Sequence, residues 1–134
     1  MLESVNPEHI VDFHDHSNEQ VSIIVVHHNK PSYLNICVQS IHNCSHLNNY
    51  ELIIVDNNSD QETQDYLDVL EKEGIKVIRN KSNKYWCEAC NQGVAAADPN
   101  SDYFIFMHAD NVVLDAAWID ILVNISVSKS SGLV

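Results

Sequence analysis

The sequence predicts an α/β protein, a mostly parallel sheet held between helices in three layers. Apolar runs recur at 21–26, 52–55, 76–79 and 103–107, with amphipathic stretches between them. The links are short, as in chains whose strands each feed a helix lying back across the sheet. Every run ends in a cluster of hydrogen-bonding side chains, which a parallel sheet gathers along one edge.

Residues 1–20 read as a flexible N-terminal extension, with Pro7, scattered acids and His9, His14 and His16 but little periodicity. The ordered domain is expected over 21–134. Val21-Ser22-Ile23-Ile24-Val25-Val26 suits a central strand, being largely β-branched. Pro31 fits the first turn of a helix, where its missing N–H costs nothing. Leu34, Cys37, Val38 and Ile41 then recur at helical spacing. A second strand over 52–55 leads to Asp56-Asn57-Asn58. Ser59 and Glu62 match a capping box, Thr63, Tyr66, Leu67 and Leu70 form a buried stripe, and Gly74 is placed to end the helix. A short strand at 76–79 and a loop at 80–86 precede a helix over 87–97, with Cys87 and Cys90 on its apolar face. After a turn at 98–101 comes Tyr103-Phe104-Ile105-Phe106-Met107, an unbroken apolar run expected to be buried on both faces. Asp115 should cap a last helix whose inner stripe is Trp118, Leu122 and Ile125. Gly132-Leu133-Val134 could open a fifth strand.

Composition narrows the functions. The chain of 134 residues suffices for one domain with a sizeable core, and 45% of it is hydrophobic. With 19 acidic against 7 basic residues its net charge is −12, the wrong field for nucleic acid. No stretch approaches the roughly 18 apolar residues of a transmembrane segment, and no secretion signal is visible, so a cytoplasmic location is expected. In that setting Cys37, Cys44, Cys87 and Cys90 are expected as thiols. Cys87 and Cys90 have zinc-like spacing, but Cys37 and Cys44 do not form the matching second pair.

The strand ends carry the chemistry. Glycine excludes two nucleotide-binding designs: none of Gly74, Gly93 and Gly132 follows the first strand, where a dinucleotide turn or a P-loop needs one. What remains is a site holding a nucleotide by base and ribose, with a metal on its diphosphate. Asp56 can accept from a base imide N–H or ribose hydroxyls, or it can cap the turn after its own strand. Asp110 can bind Mg²⁺ or Mn²⁺ through oxygen, and His108, two residues earlier, can reach the same ion.

Several motifs carry a resemblance together: Val21 to Asn29, Ile53-Ile54-Val55-Asp56-Asn57-Asn58-Ser59, Asn80 with Asn83, Ala89-Cys90-Asn91-Gln92-Gly93, and His108-Ala109-Asp110. In order and spacing they resemble the nucleotide-sugar half of a GT-A-fold glycosyltransferase of the inverting family 2, over residues 20–134. The resemblance implies a Rossmann-like fold and a UDP- or GDP-linked sugar donor. It implies that Val26, His27, His28 and Asn29 line the nucleoside and that Asp56 and Asn58 meet the base side. Asn83, Tyr85 and Asn91 would border the base pocket. His108-Ala109-Asp110 would be the metal motif, with His108 standing where an aspartate is usual, Ala109 beside the donor and Asp110 on Mn²⁺ or Mg²⁺. Tyr85-Trp86 stands where the family more often has Gly-Phe. No Asp or Glu follows Asp120, so the catalytic base and the acceptor half are expected to be missing, and the catalytic residue and acceptor stay unknown. A non-catalytic nucleotide-sugar-binding or protein-interaction module is the alternative. Uncovered apolar strand edges add the expectation of a homodimer.

Overall fold

A computed structural model describes residues 16, 18–128 and 132. The expected extension therefore lies mostly outside the described residues, as does the fifth strand save for Gly132. The elements are β1 (Gln20–His27), α1 (Pro31–Cys44), β2 (Asn49–Asp56), α2 (Gln61–Lys72), β3 (Lys76–Arg79), α3 (Tyr85–Ala96), β4 (Tyr103–His108) and α4 (Trp118–Ser128).

All four strands are parallel, in the order β3-β2-β1-β4. The chain therefore steps outward from β1 through β2 to β3, then crosses to the other side of β1 for β4. Alternation splits the core. Val21, Ile23 and Val25 of β1 join Leu52 and Ile54 of β2 under α1, α2 and α4. Ile24, Val26, Ile53 and Val55 face α3 through Ala89 and Cys90. The inward stripe of α1 is Leu34, Cys37, Val38 and Ile41, as its spacing predicts. α2 ends in a Schellman motif: Ile75 N–H donates to Leu70 O at 3.1 Å and Gly74 N–H to Glu71 O at 3.0 Å. Gly74, at φ 90°, supplies the left-handed residue that this motif requires.

Four expectations need correction. β4 is half-exposed, not doubly buried: among the described residues it pairs with β1 alone, and Phe104 and Phe106 are 40% and 39% exposed. The cap of α2 is Asp60, whose carboxylate accepts from Thr63 N–H at 3.0 Å, because Ser59 is occupied elsewhere. α4 buries Ile119, Asp120, Val123 and Asn124 in place of Leu122 and Ile125, while Trp118 packs partly buried against the core as expected, and Asp115 accepts from Ala117 N–H in the turn before the helix. Cys87 is exposed while Cys90 is buried, since only the latter lies over the sheet. No helix among the described residues is long and apolar enough to cross a membrane.

Candidate functional site

Strand order creates the site. β1 and β4 are neighbours whose following loops depart in different directions, leaving a crevice beyond their carboxyl ends. It holds about 320 Å³ and is lined by Val26, His27, His28, Asn29, Lys30, Tyr33, His108, Ala109 and Asp110. Backbone bonds extend the ladder past the strands and fix the loops: Ala109 N–H donates to Val26 O at 3.2 Å, Asn57 N–H to His27 O at 2.8 Å, and Asn80 N–H to Asp56 O at 2.8 Å.

Each residue on the β1 side is held by the next element. His28 Nδ1 lies 2.9 Å from Asn57 O, so it carries the proton, and Nε2 accepts from the Asn29 amide at 3.2 Å. Asn29 accepts from Asp60 N–H at 2.8 Å and donates its own N–H to Ser59 Oγ at 2.7 Å. Asn29 and Lys30 both take left-handed φ of 55°, which turns the chain sharply into α1. Lys30 Nζ sits 5.3 Å from the centre of the Tyr33 ring, a cation–π pair at the crevice wall. His27 is 4% exposed, and its Nε2 is buried without a hydrogen-bond partner. Burial lowers its pKa, partly opposed by the Asp56 carboxylate, so the ring is neutral.

On the β4 side, Asp110 and His108 are exposed and Ala109 is buried. The His108 ring stacks on Trp86 of α3, with centroids 3.9 Å apart. The Asp110 charge reaches inward: it adds to burial in pushing the Cys37 thiol up to about 11.

The expectation that Asp56 and Asp110 face one open crevice holds only for Asp110. Asp56 is fully buried. It accepts from the Ser59 hydroxyl, from Ser59 N–H at 3.2 Å and from the Gln64 amide at 2.8 Å. The capping role that its residue type also allowed is the one this geometry realises. Asn58, Asn83, Tyr85 and Asn91 are exposed but do not line the crevice. Their chain neighbours build a second feature, an amide network among Asn57, Asn80 and Gln92, which stand in the sequence motifs without revealing that they bond one another. Asn57, 4% exposed, accepts from the Asn80 amide at 3.0 Å and Lys84 N–H at 3.3 Å, while Asn80 and Gln92 exchange two bonds of 2.8 Å. This amide network fixes the loop before α3, in which Asn83 accepts from Tyr85 N–H at 2.8 Å. Lys30 and Tyr33 were also missed; a basic residue three positions past the end of the first strand was the available signal.

A divalent cation is compatible with these side chains in one form. No group of three His, Cys, Asp or Glu side chains among the described residues could hold an ion. The exposed carboxylate of Asp110, with His108 beside it, suits a hard cation that takes its other ligands from substrate phosphates and water.

Known proteins agree with this fold. The family model described as "Glycosyl transferase family 2" matches residues 22–127. A mannosyltransferase from Pyrobaculum calidifontis, solved with GDP-Man and Mn²⁺, is similar at a TM-score of 0.70 and 14% identity, over 84% of this chain and 34% of that one. TarS (1–349) from S. aureus, solved with UDP-GlcNAc, is similar at a TM-score of 0.65 and 18% identity, over 81% of this chain and 31% of that one. The chain thus spans about a third of the length of these structures. No curated protein matches.

Proposed function

Because this chain belongs to glycosyl transferase family 2, we propose that it binds a nucleotide-diphosphate sugar in the crevice between β1 and β4, for transfer of the sugar to an acceptor hydroxyl. The observation that carries this reading is the meeting of His27, His28 and Asn29 with His108, Ala109 and Asp110 at the switch in strand order. The donor is UDP- or GDP-linked, and inversion at the anomeric carbon is part of the proposal.

The roles follow from chemistry at each position. Lys30 supplies positive charge at the mouth of a crevice in a chain of net charge −12, where a diphosphate would otherwise be repelled. The neutral His27 offers Nε2 as an acceptor for a ribose hydroxyl or base N–H, which would end its buried isolation. Asp56 acts indirectly: through Ser59 it holds Asn29 in its left-handed turn. Asn58, Asn83, Tyr85 and Asn91 border the base end, with Asn57 fixing their loop. Asp110 and His108 would hold Mn²⁺ or Mg²⁺, which when bound neutralises the diphosphate and stabilises the departing nucleoside diphosphate.

Titration calorimetry with UDP- and GDP-sugars, with and without Mn²⁺, tests the reading. Binding should appear for one nucleotide and strengthen with Mn²⁺, and Asp110→Ala should abolish the strengthening while the fold persists. Silence with every nucleotide sugar, metal present or absent, would remove the donor site and leave a module that only keeps the fold.

A further inference from the structure

Cys87-Glu88-Ala89-Cys90 takes no part in the crevice chemistry. It lies near the start of α3, where Cys87 is exposed and Cys90 only 9% exposed. Three residues apart on a helix, the two side chains project from one flank, one turn from each other. Gln92, bonded to Asn80 beyond β3, marks the opposite flank, so Cys87 lies on the side of β4 while Cys90 packs over β1 and β2. The partly exposed Phe104 and Phe106 leave that side accessible.

Helical spacing sets such Cβ atoms about 5–6 Å apart, whereas a disulfide wants about 3.5–4.5 Å. A bridge is within reach only if the start of α3 tightens, and a strained, accessible bridge is the labile kind. Where the strain goes is also fixed. Gly93 lies so close to Ile24 that an added Cβ would come within 3.0 Å of Ile24 Cγ1, so the body of α3 is clamped to β1. The movable part is the turn before the pair. There Tyr85 holds a left-handed φ of 58° and Trp86 stacks on His108.

We propose that Cys87 and Cys90 form a reversible dithiol–disulfide pair, oxidised by small-molecule disulfides, and that its closure displaces Trp86 from its stack on His108 at the crevice rim. The exposed Cys87 thiolate attacks one sulfur of the small disulfide, whose S–S bond breaks. The other sulfur leaves as a thiolate and takes up a proton. Cys90 then gives its proton to solvent, attacks the Cys87 sulfur of the mixed disulfide and expels the second small thiol. Two protein thiols lose two electrons, and one disulfide becomes two thiols. Burial, with the neighbouring Cys87 as a lesser cause, raises the Cys90 pKa, which leaves the exposed Cys87 as the thiol that reacts first.

The full chain is equilibrated with graded ratios of reduced to oxidised glutathione, trapped with N-ethylmaleimide and mapped by peptide mass. The expected product is a Cys87–Cys90 peptide lighter by two hydrogens and restored by dithiothreitol, while Cys90→Ser accumulates glutathione on Cys87. Wild-type protein that carries glutathione on Cys87 at every ratio, or stays unmodified, overturns the pair. Tryptophan emission reads the coupling: it should shift on oxidation of wild type and stay unmoved in Trp86→Phe, which retains Trp118. A bridge that forms without shifting the emission overturns the displacement of Trp86.

Discussion

His27 shows how a residue can be legible by position and opaque in role. Its place after the first strand marks it in the sequence, but its burial and orphan Nε2 follow from pairing opposite Asp56 in the register of β1 with β2. Burial lowers its pKa from 6.5, so below that value the unfolded imidazole binds more protons than the native one. The native state is then fully favoured above about 6.5 and loses stability as pH falls from there towards the lowered native value. Thermal midpoints measured between about pH 7.5 and 5.5 should fall in wild type and fall less in His27→Gln; parallel slopes would free His27 of this effect. Tyr85 is the converse case. Nothing in a tyrosine announces a left-handed backbone, yet its φ is 58° and its ring 78% exposed. The strain costs about 1–2 kcal/mol, against about 0.5–1 kcal/mol for the added chain entropy of glycine. Tyr85→Gly should therefore raise stability by about 0.5–1 kcal/mol in urea unfolding, because the open ring gives up little packing.

Elements were more legible than their ends. The spacing of Leu34, Cys37, Val38 and Ile41 locates α1 and its buried face, since periodicity reports burial directly. Capping depends on competitors that sequence spacing ignores. Ser59 and Glu62 fit the capping pattern, yet Ser59 is drawn to Asp56 and Asn29, and the cap passes to Asp60. In α4 five of the seven residues of the first two turns are apolar, so the sequence offers more than one stripe, and packing buries Ile119 and Val123 together with Asp120, which accepts from the Asn48 amide at 2.8 Å. α3 owes its place to a missing side chain. A Cβ at position 93 would press into Ile24, which is fully buried and has no room to retreat. Gly93→Ala, although favourable for an isolated helix, should lower stability by about 2–3 kcal/mol in denaturant unfolding. Wild-type stability in that variant would show that α3 does not rest on β1 through this contact.

At the scale of the molecule, strand order decides what local pattern cannot. An unbroken apolar run normally means a strand covered on both faces, and β1 and β4 look alike in that respect. They differ because, among the described residues, β1 lies between two neighbours and β4 has one. The site depends on the same fact: the crevice exists because β4 pairs with β1 instead of extending the sheet beyond β3. Paired positions expose the difference in energy. Ile24 and Phe106 are partners in register and point to the same side of the sheet, Ile24 fully buried under α3 and Phe106 39% exposed. If both faces of β4 were covered, truncating phenylalanine would be the more damaging change, since about 3–5 kcal/mol is usual against about 2–5 kcal/mol for isoleucine. Edge placement reverses the order. Ile24→Ala should cost about 3 kcal/mol and Phe106→Ala about 1 kcal/mol, measured as midpoint shifts at constant slope in urea. Equal or inverted costs would mean that the α3 side of β4 is covered, and β4 could then no longer be the edge on which the crevice opens.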